Sequence, residues 1–255
     1  MVIPLALSFV AFACIFGGTL LGVLLRPVLP DHHVSAESKD ALKLGTGMIA
    51  TLSALVLGLL IASAKGTFDT ASSELKQTGS KIILLDRTMA EYGPETKEAR
   101  DVLRRSVTSA LDLVWPEEKT GQTEARALGP AAGLETVQNK LLQLSPQSDA
   151  QRWLQSRALQ VSADVAAARW LLIEQRGESS LPKPFLVMLV CWLAIIFFCF
   201  GMLSPRNATV IMVLLICALS VASSLYLIQE MDRPYQGLLK VSSGPLRHAL
   251  VQLGR

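Results

Sequence analysis

Charge is missing from four long stretches of this chain. No Asp, Glu, Lys, Arg or His lies between Met1 and Leu25, between Leu44 and Ala64, between Pro184 and Pro205, or between Asn207 and Gln229. Each stretch is at least about as long as the ~20 residues a helix needs to cross the hydrocarbon core of a bilayer. The runs are too long and too unalternating for barrel strands, so they read as four transmembrane helices. Ion-coupled pumps and proton relays place ionisable groups at membrane depth, and none is available here. A passive pore remains open.

Other shortages narrow the field further. Net charge is only +3, which offers no basic field for nucleic acid. The four cysteines, Cys14, Cys191, Cys199 and Cys217, all fall in the uncharged runs. Their spacing fits neither a zinc site nor a secreted disulfide framework, and they read as small apolar packing residues. A nucleophile elbow, a phosphate-cradling glycine loop and an HExxH pair are all missing, so neither an enzyme nor a cofactor is expected. The first run lacks a basic leader and a clear small-residue cleavage site, and it reads as a retained helix. No strand-like alternation of useful length occurs. The fold class expected is all-α, an integral membrane protein with four transmembrane helices and a helical cytoplasmic insertion between helices two and three.

The segments follow in order. Residues 1–64 hold helices one and two with a short outer loop, 65–183 the helical insertion, 184–229 the hairpin of helices three and four, and 230–255 the tail. Ser204-Pro205-Arg206-Asn207 forms the hairpin turn. Basic residues gather on the side of the insertion and tail (Lys65, Lys76, Lys81, Arg169, Arg176, Lys183, Arg233, Lys240) more than on the other (Arg26, Lys39, Lys43, Arg206). The positive-inside rule then puts the insertion and both termini in the cytoplasm; the expected location is a bacterial inner (plasma) membrane.

Within the insertion, Leu75, Ile82, Leu85, Met89 and Tyr92 recur on one helix face, and Gly93-Pro94 breaks the chain. A second helix buries Ala99, Leu103, Val107, Ala110 and Val114. A loop is expected over 117–131, then a short helix near Glu135–Leu144. A long helix from Ala150 to Glu174 carries Trp153, Leu154, Ala158, Val161, Val165, Ala168 and Leu172. The sixteen acidic and sixteen basic residues between Lys65 and Lys183 read as solvated helix faces or a subunit interface. Helix two is expected to run without a break to Tyr92, a rod on the order of 70 Å long. Gly66 and Gly79 weaken it by about 1 kcal/mol each relative to alanine.

On helix two, Gly47, Thr51, Ala54 and Gly58 share a face, and Ile49, Leu52, Val56 and Leu60 share the opposite one. The small stripe reads as a packing seam. Were several copies to surround an axis, Leu52, Val56 and Leu60 would form an apolar constriction, which can gate by dewetting. Helix one carries its own small stripe, including Gly18 and Gly22. Helix three, with Phe185, Trp192, Phe197, Phe198 and Phe200, is expected to face lipid, leaving helices one, two and four as the inner layer. Asp31-His32-His33 lacks a further nearby ligand and reads as a solvated loop, so no metal site is expected. The tail motif Glu230-Met-Asp232-Arg233-Pro234-Tyr235-Gln-Gly237 reads as an elbow after helix four, held by Asp232 and an arginine, with a gate at a pore mouth as the functional alternative.

Several separated segments carry a resemblance. GGTLLGVLLRPVLPDHH (17–33), GTGMIATLSALVLGLLIASAKGTFD (45–69), LDRTMAEYGPE (85–95) and LIQEMDRPYQGLLKVSSGPLRHAL (227–250) are similar, in order, to the bestrophin-like domain family. The plan of two helices, an insertion, two helices and a tail also resembles true bestrophins. Those are pentameric chloride channels whose second membrane helix lines a pore narrowed by bulky apolar side chains. The resemblance implies a lipid-embedded homo-oligomer, pentameric by analogy, with small anions as the permeant species. This chain departs from bestrophins after helix four: Arg233 directly follows Glu230 and Asp232, with no acidic calcium-binding run. A non-conducting membrane scaffold or sensor, whose helical domain binds a partner, is the competing expectation.

The orientation is testable in intact cells. A cysteine placed at Ser35 is expected to react with an impermeant maleimide added outside, and one placed at Thr120 to stay unlabelled. The opposite pattern would invert the topology.

Overall fold

The structure, a computed structural model, describes residues 2–28, 36–115, 130–174, 181–205 and 207–254. Asp31, His32 and His33, most of the stretch read as a loop at 117–131, and Arg206 lie outside the described residues. The chain divides into two compact units, one of Met1–Phe68 with Ser179–Lys240 and one of Asp69–Glu178 with Val241–Arg255. Among the described residues the regular structure is entirely helical.

The first unit contains α1 (Val2–Leu25), the N-terminal part of α2 (Ala36–Tyr92), α6 (Lys183–Leu203) and α7 (Ala208–Met231). Among the described residues, four helices are long and apolar enough to cross a membrane, and these are the four. Their core gathers Ile15 from α1, Leu60 and Ala64 from α2, Leu189, Leu193, Ile196 and Phe197 from α6, and Ala218, Leu225 and Ile228 from α7.

Packing of α1 against α6 depends on glycine. A Cβ at Gly18 would lie 2.7 Å from the Ala194 carbonyl oxygen. At Gly22 it would run into the carbonyl oxygen of Phe198, and at Gly201 into that of Thr19. Between apolar helices in lipid the attraction is mostly van der Waals contact, which small residues maximise by letting backbones approach. This corrects the expected inner layer: α6 packs closely along α1, and Phe197 is 6% exposed in the core. Phe185 and Phe200 do stay outside, at 50% and 44%. At one end, the Arg26 guanidinium donates to the Ser204 carbonyl and ties α1 to the end of α6.

The second unit contains the rest of α2, α3 (Lys97–Val114), α4 (Pro130–Leu142), α5 (Asp149–Glu174) and α8 (Gly244–Gln252). Helix α2 runs unbroken to Tyr92, as its periodicity predicts, and Leu75, Ile82, Leu85, Met89 and Tyr92 are all buried. Gly79 leaves room for the Pro245 carbonyl, 2.9 Å from where its Cβ would be. The helix stops at Gly93, whose φ of 138° suits glycine. There the Thr96 hydroxyl donates to the carbonyls of Met89 and Gly93 at 2.5 and 2.8 Å, satisfying acceptors the helix end leaves open. The short helix begins at Pro130, earlier than the sequence pattern suggests. Trp153 is 65% exposed, whereas its neighbours Leu154, Ala158, Val161 and Val165 are buried.

The helix-one seam predicts a sharp contrast. Gly201→Ala forces a Cβ onto backbone and is expected to destabilise by about 1–3 kcal/mol, the usual cost of overpacking. Gly66→Ala adds a Cβ in open space on α2. It is expected to leave stability unchanged or raise it by up to ~1 kcal/mol. Thermal unfolding of the purified protein in detergent would read both.

Candidate functional site: the outward face of helix two and the elbow after helix seven

Helix α2 turns one side into the core and one side out. Thr46, Ser53, Leu60 and Ala64 are buried, with Ile49, Ala50, Val56 and Leu57 packed partly against the same core. At 3.6 residues per turn, Gly47, Thr51, Ala54 and Gly58 fall within an arc of about 60° on the far side. All four are exposed, and nothing approaches within 4 Å of a Cβ built on Gly47 or Gly58. Beside them lies a second exposed arc of Met48, Leu52, Leu55 and Leu59, at 71%, 51%, 67% and 67%.

The three residues named for a constriction therefore separate. Leu52 is on the outward side, Val56 packs partly against the core, and Leu60 is 5% exposed inside it. Leu55 and Leu59 escape a spacing argument, because spacing alone does not say which side of a wholly apolar helix meets its own protomer. No ionisable group occurs on this face between Leu44 and Ala64. The Thr51 hydroxyl donates to the Gly47 carbonyl at 2.9 Å, so it presents little free polarity.

The small stripes on the other helices differ in use. Gly18 and Gly22 seat α1 on α6, with Gly201 as their counterpart. A single glycine in an aromatic-rich helix is the only sequence signal for Gly201. On α7 the buried residues include Ala218, Ala222 and Leu225, while Cys217 and Ser220 are exposed.

Where α7 ends, the elbow residues come together as the turn chemistry implies. Glu230 is 1% exposed and its Oε2 accepts from the Leu238 N–H at 2.6 Å and the Leu239 N–H at 3.4 Å. A carboxylate taking backbone N–H groups this way closes the turn much as a side chain caps a helix. Gly237 has φ of 89°, and a Cβ there would collide with Glu230 Oε2. Asp232 and Tyr235 are buried and Arg233 is partly buried alongside Pro234. Glu230 thus organises the turn, beside the buried Asp232 of the same motif. His248 is exposed on α8, and among the described residues no three His, Cys, Asp or Glu side chains gather as a metal site.

In the second unit, the strongest polar element is the pair of Asp86 and Arg100. The Arg100 guanidinium donates in bidentate fashion to Asp86 at 2.8 and 2.9 Å, and Asp86 is 2% exposed. The Asp86 hydrogen bond pushes the Arg100 pKa further above its ordinary value, against the effect of burial. The Gly254 N–H also donates to Asp86 at 3.3 Å, and Trp115 Nε1 donates to the Val241 carbonyl at 3.0 Å. On the surface, Lys140 reaches Glu98 at 2.5 Å and draws its pKa below the usual carboxylate range by hydrogen bond and charge. The Arg169 pKa is lowered by burial, opposed by Glu135.

These four apolar helices, the unbroken second helix and the helical unit that follows define an all-α integral membrane protein. The bestrophin-like domain model matches residues 13–246, so the chain belongs to the bestrophin-like family. The fold is that of solved bestrophins. A point variant of a bacterial bestrophin homolog from Klebsiella pneumoniae superposes with a TM-score of 0.65 at 14% identity, over 98% of this chain and 96% of that one. The homolog from the same organism solved by zinc phasing gives 0.62 at 15% identity, over 92% and 96%. A structure described only as a variant of a membrane protein gives 0.63 at 14%, over 94% and 96%. No curated protein matches the sequence.

Substituting Gly237 tests the elbow. Gly237→Ala meets both a positive φ and the Glu230 carboxylate, and is expected to destabilise by about 1–3 kcal/mol. Glu230→Ala should cost a similar amount by removing the charged acceptor of the Leu238 N–H. In the double variant the two losses should not add, because both break the same turn.

Proposed function

We propose that this chain forms a homo-oligomeric membrane pore for small anions, five-fold by its resemblance to bestrophins, with helix α2 at the shared axis. The observation that carries this is the outward side of α2. The protomer's core takes up Val56 and Leu60 and, among the described residues, leaves two apolar arcs exposed, Gly47 to Gly58 and Met48 to Leu59. A helix at an axis needs one face for its neighbours and one for the pore. The small arc suits close contact with the next copy. The leucine arc suits a constriction that controls wetting rather than charge. Leu52 is the residue of the expected constriction that lies on this arc, with Leu55 and Leu59 beside it. The anionic preference rests on the bestrophin resemblance, and the cytoplasmic placement of the insertion and tail on the distribution of basic residues.

A scaffold is the second reading. Trp153 and Trp170 are exposed on α5, at 65% and 62%, as a partner-binding surface would present them.

Halide flux into liposomes containing the purified protein separates the two. The expected result is chloride and iodide entry that Leu52→Ala changes in rate or selectivity. Leu60→Ala is expected instead to lower stability by about 2–5 kcal/mol through a core cavity. No flux from folded, oligomeric protein would favour the scaffold.

A further inference from the structure

We propose that a single acyl chain of a bilayer phospholipid occupies a groove between helices α1 and α6. The groove has a volume of about 420 Å³ and is lined mainly by Ala13, Cys14, Gly17, Leu21, Ile195 and Phe198. Its lining is almost wholly hydrocarbon, with the Cys14 thiol as the one heteroatom among these side chains. Such a surface has nothing for a headgroup, an ion or a polar peptide to bond.

Gly17 forms the open part of this groove. Gly18 and Gly22, its neighbours on α1, are consumed by the close approach to α6, but nothing lies within 4 Å of a Cβ on Gly17. The groove therefore arises where two backbones meet closely and one side chain is missing. Leu21 and Ile195 stand exposed at its edges, at 56% and 47%.

Position selects the occupant. Both walls lie inside spans long and apolar enough to cross the bilayer, Leu5–Val28 and Pro184–Leu203. Along the same helices Val10 and Leu24, then Val187 and Met188, are exposed apolar residues. The groove is thus continuous with a surface that meets lipid. A flexible chain of methylenes fills it by dispersion contact and needs no hydrogen-bond partner. This inference rests on the membrane-spanning fold alone, so a protein that conducts nothing would still bind the lipid.

Native mass spectrometry of the full-length protein, with palmitoyl-oleoyl phosphatidylglycerol as the probe, tests it. After stepwise delipidation the wild type is expected to keep one lipid per protomer. Gly17→Leu, which fills the groove, should reduce that occupancy at least tenfold. Leu113→Ala, at a residue 55% exposed on α3 in the other unit, should leave it unchanged. Three results would overturn the proposal: no lipid retained by the wild type, full retention by Gly17→Leu, or retention lost equally in both variants. A change in the number of protomers in Gly17→Leu, with lipid retention intact, would also overturn it and identify a second copy as the occupant. Should Gly17→Leu fail to fold, Ile195→Ala removes one wall instead. Undiminished lipid occupancy in that variant would equally defeat the proposal.

Discussion

In hydrocarbon a backbone amide has no bonding partner except another part of the protein, and everything in the membrane unit follows from that constraint. It makes each uncharged run a helix. It also removes the ordinary reason for helices to associate, because lipid tails are as apolar as leucine side chains. Packing then has to come from contact area, and contact area from closeness. Gly18 and Gly22 on α1 and Gly201 on α6 supply it by letting carbonyl oxygens sit where a Cβ would otherwise be.

The second helix answers the same constraint differently. Its core side is built from Ser53, Val56, Leu57 and Leu60, while among the described residues nothing lies within 4 Å of a Cβ at Gly47 or Gly58. Gly18 and Gly47 look alike as sequence and differ completely in use: one is filled by a neighbouring backbone, the other faces outward. That contrast separates a seam within the chain from a surface available to other copies or to a permeation path.

Polar chemistry takes over where the chain leaves the apolar runs. Glu230 gathers the backbone N–H groups of the turn after α7, and Gly237 supplies the conformation that brings them there. In the helical unit Asp86 holds Arg100 and also accepts from Gly254. A buried pair of this kind adds less net stability than its distances suggest, since both ions lose water. Its geometric demand is strict, however, and it specifies how α2, α3 and the C-terminal segment meet.

Much of this is legible in the residues alone. Uncharged length determined the four spans, the three-four-seven spacing of Leu75 to Tyr92 determined the buried side of α2 beyond the span, and Pro234 with Gly237 determined a turn. These are local properties, encoded by residues near one another in the chain. Three things waited for the tertiary structure: that α6 packs along α1, that Leu60 belongs to the core while Leu52 does not, and that Glu230 organises the elbow. The physical reason is common to all three. Periodicity identifies a face but not its neighbour, and in a helix apolar all round every face satisfies the pattern. Only the approach of another backbone or an N–H group decides which one is used.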